Sequence, residues 1–254
     1  MGNLAASRTQ VIWLLGLAAS WEVAARLLDS PIAMPRLGAI FGALIDLLRS
    51  GQLVEAAWWS FSALYLGLFV GGALGIIFGF LMGVSRLAEY ALRPYASALY
   101  ATPLVALVPV VLLWFGMGLG GRVAFVALWV VFPVLISTSA GARSGDRKLQ
   151  EAARSFGANR WQIWLHVVLP YAMPFVFSGL RLAVGRALVG LIVAEMFLQS
   201  KGLGLLLASY GASFSTEYVL AVILVLPLVY WGLAGTVMLA EKRVVRWHPA
   251  AAAT

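Results

Sequence analysis

Cysteine is absent from the 254 residues of this chain, which excludes disulfides and thiolate metal sites together. Histidine is nearly absent as well. His166 and His248 stand alone in unrelated stretches, so no imidazole pair has the spacing of a metal site and none is expected. Charged residues make up only 11%, whereas about a quarter is usual in a soluble domain. No G-x-x-x-x-G-K-[S/T] run occurs, which rules out ATP hydrolysis by a phosphate-binding loop of this chain. Nor does a nucleophile stand beside a base. The chain reads as a non-enzyme with no cofactor of its own, and any work it does must draw energy from another polypeptide.

What the chain has in abundance is hydrocarbon. Hydrophobic residues reach 62%, as expected for an all-α polytopic membrane protein. The net charge of +8 could suggest nucleic acid. Its basic residues lie between apolar runs, however, where they orient a chain in a lipid bilayer, so no nucleic-acid partner is expected.

Six transmembrane helices can be placed. The first runs from about Val11 to Leu28. Glu22 and Arg26 late in it form an i,i+4 pair, and with no small-x-small cleavage site they favour a retained helix over a signal peptide. After Pro31 and Pro35 comes an amphipathic helix too short to span, with Leu37, Ile40, Phe41, Leu44, Leu47 and Leu48 on its apolar face and Gly51 as its stop. It is expected to lie on the outer membrane surface or against the other helices. The second span covers about Trp58 to Val84 and repeats glycine every four residues, at Gly67, Gly71, Gly75, Gly79 and Gly83. That pattern makes one flat ridge for a close helix neighbour, in this chain or in a second copy.

A basic turn from Arg86 to Arg93 leads into a third span interrupted by Pro103 and Pro109. Broken spans are tolerated beside protein or a water-lined cavity, which makes both prolines candidates for a translocation path. Gly116, Gly118, Gly120 and Gly121 with Arg122 then read as a tight outer loop; without a βαβ setting they are no phosphate cradle. The fourth span runs from about Val123 to Ala142 and the sixth from about Tyr218 to Leu239. The fifth, about Tyr171 to Leu198, holds Arg181, Arg186 and Glu195. Arg181 can reach the interface or the carbonyls of the preceding hairpin. Arg186 is too far from Glu195 along one helix to pair with it and needs a partner elsewhere, either as an anchor or as an attractor of anions. Arg186 and Glu195 join the candidate path. Residues 199–217 read as an outer loop that re-enters the membrane slightly.

Between the fourth and fifth spans lies a polar, basic insert, EAARSFGANRWQIWLHVVLP, from Glu151 to Pro170. Asp146 can cap a first short helix with Leu149, Ala152, Ala153 and Phe156 on one face. Gly157 suits a left-handed reversal. Asn159 and Gln162 form a capping box for a second helix with Trp161, Trp164, Leu165 and Val168 on its apolar face, closed by Pro170. Such a hairpin cannot lie in lipid.

The order Glu-Ala-Ala, three residues, Gly, nine residues, Val-x-Leu-Pro resembles the signature loop of membrane subunits of ABC importers. With LWFGMGLGGR and SGLRLAVGRALVGLIVAEMF, the chain is similar to the nitrate, sulfonate, taurine and bicarbonate permease group over nearly its whole length. The resemblance implies a homodimer with two cytosolic ATPases, which bind ATP and Mg, and an external substrate-binding protein. It implies that Glu151, Ala152, Ala153, Phe156 and Gly157 dock on the ATPase. Its organisation would be a first helix plus amphipathic helix over 1–56, a core permease domain over 57–245 and a disordered tail over 246–254.

Charge placement leads to the same orientation by a separate rule. Arg8, Arg86, Arg93, Arg143, Arg147, Lys148, Arg154, Arg160, Lys242, Arg243 and Arg246 fall on the hairpin's side, against Arg26, Arg36, Arg49, Arg122 and Lys201 on the other. That bias puts the hairpin and both termini in the cytosol of a bacterial inner-membrane protein. The expected cargo is a small anion. The alternatives are an importer of a neutral vitamin or pyrimidine precursor and an ion-coupled secondary transporter, which should show inverted repeats and mid-membrane acids.

Overall fold

The computed structural model describes residues 2–145, 147–198 and 201–245, and among them every regular element is helical. Among the described residues, four helices are long and apolar enough to cross a membrane: Gln52–Val84, Leu119–Arg143, Arg160–Phe197 and Thr216–Val244. A fifth span results if Arg86–Ala101 and Leu104–Phe115, bent by 100° at their junction, are taken together. The chain divides into two compact units.

The first unit comprises residues 1–59 and 201–227. It contains α1 (Gly2–Leu28), α2 (Leu37–Arg49), the start of α3 (Gln52–Val84), α10 (Leu203–Ala212) and the start of α11 (Thr216–Val244). Glu22 accepts from Arg26 Nε at 2.9 Å, and its second oxygen accepts from the backbone N–H of Leu37 at 3.0 Å. The i,i+4 pair therefore also satisfies a donor at the start of α2. Trp21 Nε1 donates to the Pro35 carbonyl at 3.0 Å, which fixes the same turn. Only part of the expected apolar face of α2 meets protein: Ile40 and Leu47 are buried with Ala43, while Phe41 and Leu48 are exposed. Within the expected outer loop of residues 199–217, Leu203–Ala212 forms a ten-residue helix, α10. Tyr210 on it stacks on Tyr218 at 4.7 Å and donates to Gln52 at 3.0 Å. Burial, with Tyr218 adding to it, raises the Tyr210 phenol above its usual range, which keeps it a donor.

The second unit comprises residues 60–200 and 228–254. Its centre is α6 (Leu119–Arg143), where Phe125, Val126, Val130, Val134 and Leu135 are buried. Along α3, all five glycines of the ridge face α6. A methyl at Gly67 would lie 2.5 Å from Val126, at Gly71 2.6 Å from the Ala127 carbonyl, at Gly75 2.8 Å from the Val131 carbonyl and at Gly79 2.7 Å from Thr138; at Gly83 it would overlap Ala142. α9 (Leu169–Phe197) approaches α6 by the same means: a methyl at Gly179 would come 2.9 Å from Ser137, and one at Gly190 2.5 Å from Trp129. On α6 itself, Gly141 leaves room for Phe175. With no water to drive apolar burial inside a bilayer, such close contacts are what hold helices together.

Three local expectations are corrected. Arg86 to Arg93 is not a turn but the start of α4 (Arg86–Ala101); Ser85 caps it by accepting from the Ala88 N–H at 3.3 Å. Gly120 and Gly121 belong to α6 rather than a loop, because Gly121 meets the Gly116 carbonyl where no side chain would fit. Arg122 is accordingly not in an outer loop; it is 3% exposed in the first turn of α6. Its Nη1 lies 3.5 Å from Glu195, which is fully buried on α9, and Ser60 Oγ on α3 donates to the same carboxylate at 2.8 and 2.9 Å. A buried carboxylate needs such partners, and here they tie three helices at one point.

Overpacking the ridge should be costly: Gly75→Leu is expected to destabilise by about 1–3 kcal/mol, whereas Gly232→Leu, on an open helix face, should be tolerated. Thermal unfolding of the two variants in detergent checks the contrast. For the buried cluster, Arg122→Leu should cost about 3–5 kcal/mol because it strands the Glu195 charge, while Arg122→Leu with Glu195→Leu should recover most of that loss. A double-mutant cycle on unfolding midpoints measures both.

Candidate functional site

The hairpin is built from α7 (Arg147–Ser155), α8 (Arg160–Ile163) and a wide π-type turn at Trp164–Val168 that runs into α9. α7 ends as glycine dictates. Gly157 takes φ +81°, the Gly157 N–H donates to the Arg154 carbonyl at 2.9 Å, and the Ala158 N–H donates to the Ala153 carbonyl at 3.0 Å. The capping box is formed: the Gln162 N–H donates to Asn159 Oδ1 at 2.8 Å, and the Asn159 N–H donates to Gln162 Oε1 at 2.8 Å. Asp146, the expected cap of α7, lies outside the described residues, as do His248 and the tail from 246 on.

Pro170 does not close the second helix. Residues Arg160–Phe197 run on as one helix of 38 residues. Proline lacks an N–H and crowds the carbonyl four residues back, and the widened turn just before it accommodates both. The face read from spacing is met in part: Val168 is buried and Trp164 packs on the core, while Trp161 and Leu165 are exposed and Ile163 is buried in addition.

The hairpin's base is seated and its tip is free of protein. Ala153, Ala158, Trp164 and Val167 pack on a core of Phe80, Ala142, Ile163, Val168, Ala172 and Val176. Trp164 meets the Phe80 ring edge-on at 5.8 Å and stacks on Trp161 at 5.1 Å. Glu151 and Ala152 are exposed, and Phe156 is 92% exposed. An aromatic ring held in water on a rigid reversal, beside a carboxylate and small alanines, has the form of a protein contact.

The candidate path residues divide into two places. Pro103 stands at the break between α4 and a short 3-10 turn, Leu104–Leu107, and Thr102 closes α4 by donating through Oγ1 to the Ala98 carbonyl at 2.8 Å. Pro109 lies in the first turn of α5 (Val108–Phe115), where its missing N–H costs nothing. Arg186 on α9 reaches this break. It donates to the Tyr100 hydroxyl at 2.6 Å, and its guanidinium carbon lies 4.5 Å from that ring's centroid. Among the described residues the partner of Arg186 is thus neither a carbonyl nor an acid but a tyrosine. Glu195 does not join it and sits in the Ser60 and Arg122 cluster. Arg181 pairs with Glu241 on α11 at 2.5 Å rather than with the hairpin. Spacing within α9 could not reveal Tyr100 or Arg122, since both contacts are made across helices.

Comparison with known proteins fits this arrangement. Residues 71–245 match the family described as binding-protein-dependent transport system inner membrane component. The taurine transport system permease protein TauC of Escherichia coli (strain K12) is 30% identical over 90% of this chain and 85% of its own length. The formylaminopyrimidine transport permease protein ThiX of Halalkalibacterium halodurans is 30% identical over 85% of this chain and 86% of its own length. In fold, the chain resembles an inward-facing structure of the MetNI methionine ABC transporter, with a TM-score of 0.62 at 19% identity over 78% of this chain and 96% of that one. The chain belongs to the binding-protein-dependent inner membrane components, and is an inner-membrane permease subunit of an ABC importer.

Proposed function

We propose that this permease works as a homodimer with two cytosolic ATPases and an external binding protein, and carries a small organic anion of the sulfonate kind. Six spans with both termini in the cytosol fit the reading. α1 supplies the sixth, with Ile12, Leu14, Leu15 and Leu17 exposed along it as a lipid-facing helix requires. The hairpin of residues 151–170 is the contact with the ATPase, and the observation that carries this is Phe156, exposed on a reversal whose base is packed into the core. In the proposed cycle, ATP-driven approach of the ATPases moves α7. The continuous helix Arg160–Phe197 conveys that motion to the membrane, favouring one of two access states over the other. ATP and Mg are held by the partner, and this chain contributes the lever and the path.

The cargo is inferred from Arg186. Relatives named for taurine and for formylaminopyrimidine match about equally well, so similarity does not choose between anion and neutral solute. A guanidinium whose described partner is the neutral Tyr100, at the break of a span, supplies positive potential where broken helices bind substrate. That favours the anion.

Because the native chain has no cysteine, single replacements report topology cleanly. Phe156→Cys should react with a membrane-impermeant maleimide in inside-out vesicles and stay protected in right-side-out spheroplasts; the reverse pattern would remove the coupling role. Gly157→Pro and Glu151→Arg should insert normally yet lose co-purification with the ATPase in mild detergent. In proteoliposomes holding the full transporter, taurine uptake should fall on the order of tenfold in Arg186→Gln, the size of a lost charged contact. Uptake of formylaminopyrimidine with no response to taurine would assign the neutral alternative.

A further inference from the structure

At the base of the hairpin, lined by Ile163, Trp164 and Val168, lies an open cavity of about 720 Å³ whose wall carries Arg86, Arg143, Arg154 and Arg160. They come from four different elements: the first residue of α4, the last of α6, the next-to-last of α7 and the first of α8. Glu89 is the acid on this wall among the described residues, and it is already engaged, accepting from Arg143 at 2.5 Å and from Arg93 at 2.9 Å. Arg86, Arg154 and Arg160 have no carboxylate within ion-pair distance among the described residues. Gln150 adds an amide at the edge, with Nε2 donating to the Gly145 carbonyl at 3.4 Å. Like charges gathered around one space repel, and the arrangement costs free energy unless an anion enters.

We propose that this cavity binds a phosphate-bearing anion that bridges the hairpin to the helices beneath it. Guanidinium forks match phosphate oxygens in pairs, and Arg154 and Arg160 of the hairpin line the same cavity as Arg86 and Arg143. A phosphate-bearing anion in it would draw on both sets. Its source is either the headgroup of an anionic lipid or free phosphate. The wall continues into a second recess along α4 through Arg86 and Glu89, where Tyr90 is 82% exposed beside Leu87; an arginine floor beside apolar side chains suits a headgroup with its acyl chains. The bound anion would stiffen the hairpin's base, and this holds whatever solute the protein carries.

The test uses the full chain purified in dodecyl maltoside and follows thermal unfolding by tryptophan fluorescence at constant ionic strength. Three probes are added separately: inorganic phosphate, dioleoyl phosphatidylglycerol and dioleoyl phosphatidylcholine. A saturable rise in Tm with phosphatidylglycerol is expected, and none with phosphatidylcholine. In Arg154→Gln with Arg160→Gln, half-saturation should shift on the order of tenfold or more, and it should be partly restored in Arg154→Lys with Arg160→Lys. Lys242→Gln, elsewhere on the same side, should leave the shift unchanged. Without any probe, the glutamine variant should unfold no earlier than the native chain, because repulsion is relieved. Saturation by phosphate as well as phosphatidylglycerol assigns a free anion; saturation by phosphatidylglycerol alone assigns a lipid headgroup. The proposal is overturned by no saturable shift with either, by a shift the glutamine variant retains, or by an equal loss in Lys242→Gln.

Discussion

Close approach to α6 is the constraint on which the second unit depends. Two helices reach it, α3 through five glycines in register and α9 through Gly179 and Gly190, and at each contact an added methyl would stand within 3 Å of another atom. Dispersion falls steeply with distance, so backbones that nearly touch gain contacts no larger side chain could supply. Carbonyls of Ala127, Val131 and Leu135 lie against the ridge, where weak Cα–H donors add a further increment. A helix gripped on two sides in this way has little freedom to slide, and it behaves as a fixed member around which other parts can turn.

The polar groups sort themselves against that member. Glu195 and Arg122 are buried and mutually compensated, with Ser60 completing the carboxylate's bonds. Arg186 is only half-buried, reaches a tyrosine and keeps its charge. Two charges on one helix thus differ in setting: Glu195 is compensated by Arg122, whereas Arg186 has no carboxylate partner among the described residues, which is what an attractor of anions would require.

What could be read without coordinates is what depends on near neighbours in the chain. The glycine period, the reversal at Gly157 and the capping box at Asn159 and Gln162 are all local patterns, and all are present. The helix start at Ser85 was equally local, yet the basic residues after it outweighed the cap and suggested a turn. Arg122 was misplaced because four nearby glycines signal a loop, while its actual environment is set by Glu195, far along the chain. Pro170 is ordinarily a stop signal; the π-type turn at Trp164–Val168 overrides it, and nothing in the local residues announces such a turn. The ring of arginines at the base of the hairpin was legible only as a charge bias, since its members come from four elements.

The continuity through Pro170 bears on how force would travel. Had the proline broken the chain there, a displacement of α7 would be absorbed at a joint. Instead the hairpin's second arm and α9 form one rod, fixed near its base by Trp164 on Phe80 and gripped further along by Gly179 and Gly190 against α6. A rod held by a fixed member moves with it, so α6 and α9 should shift as one body. Compliance would then have to lie elsewhere, and the 100° break after Ala101 is where a span is already interrupted. Tyr100 sits beside that break and holds Arg186 of the rod. On the proposed cycle, relative motion of rod and break would make or release this contact and so alter the exposure of the guanidinium.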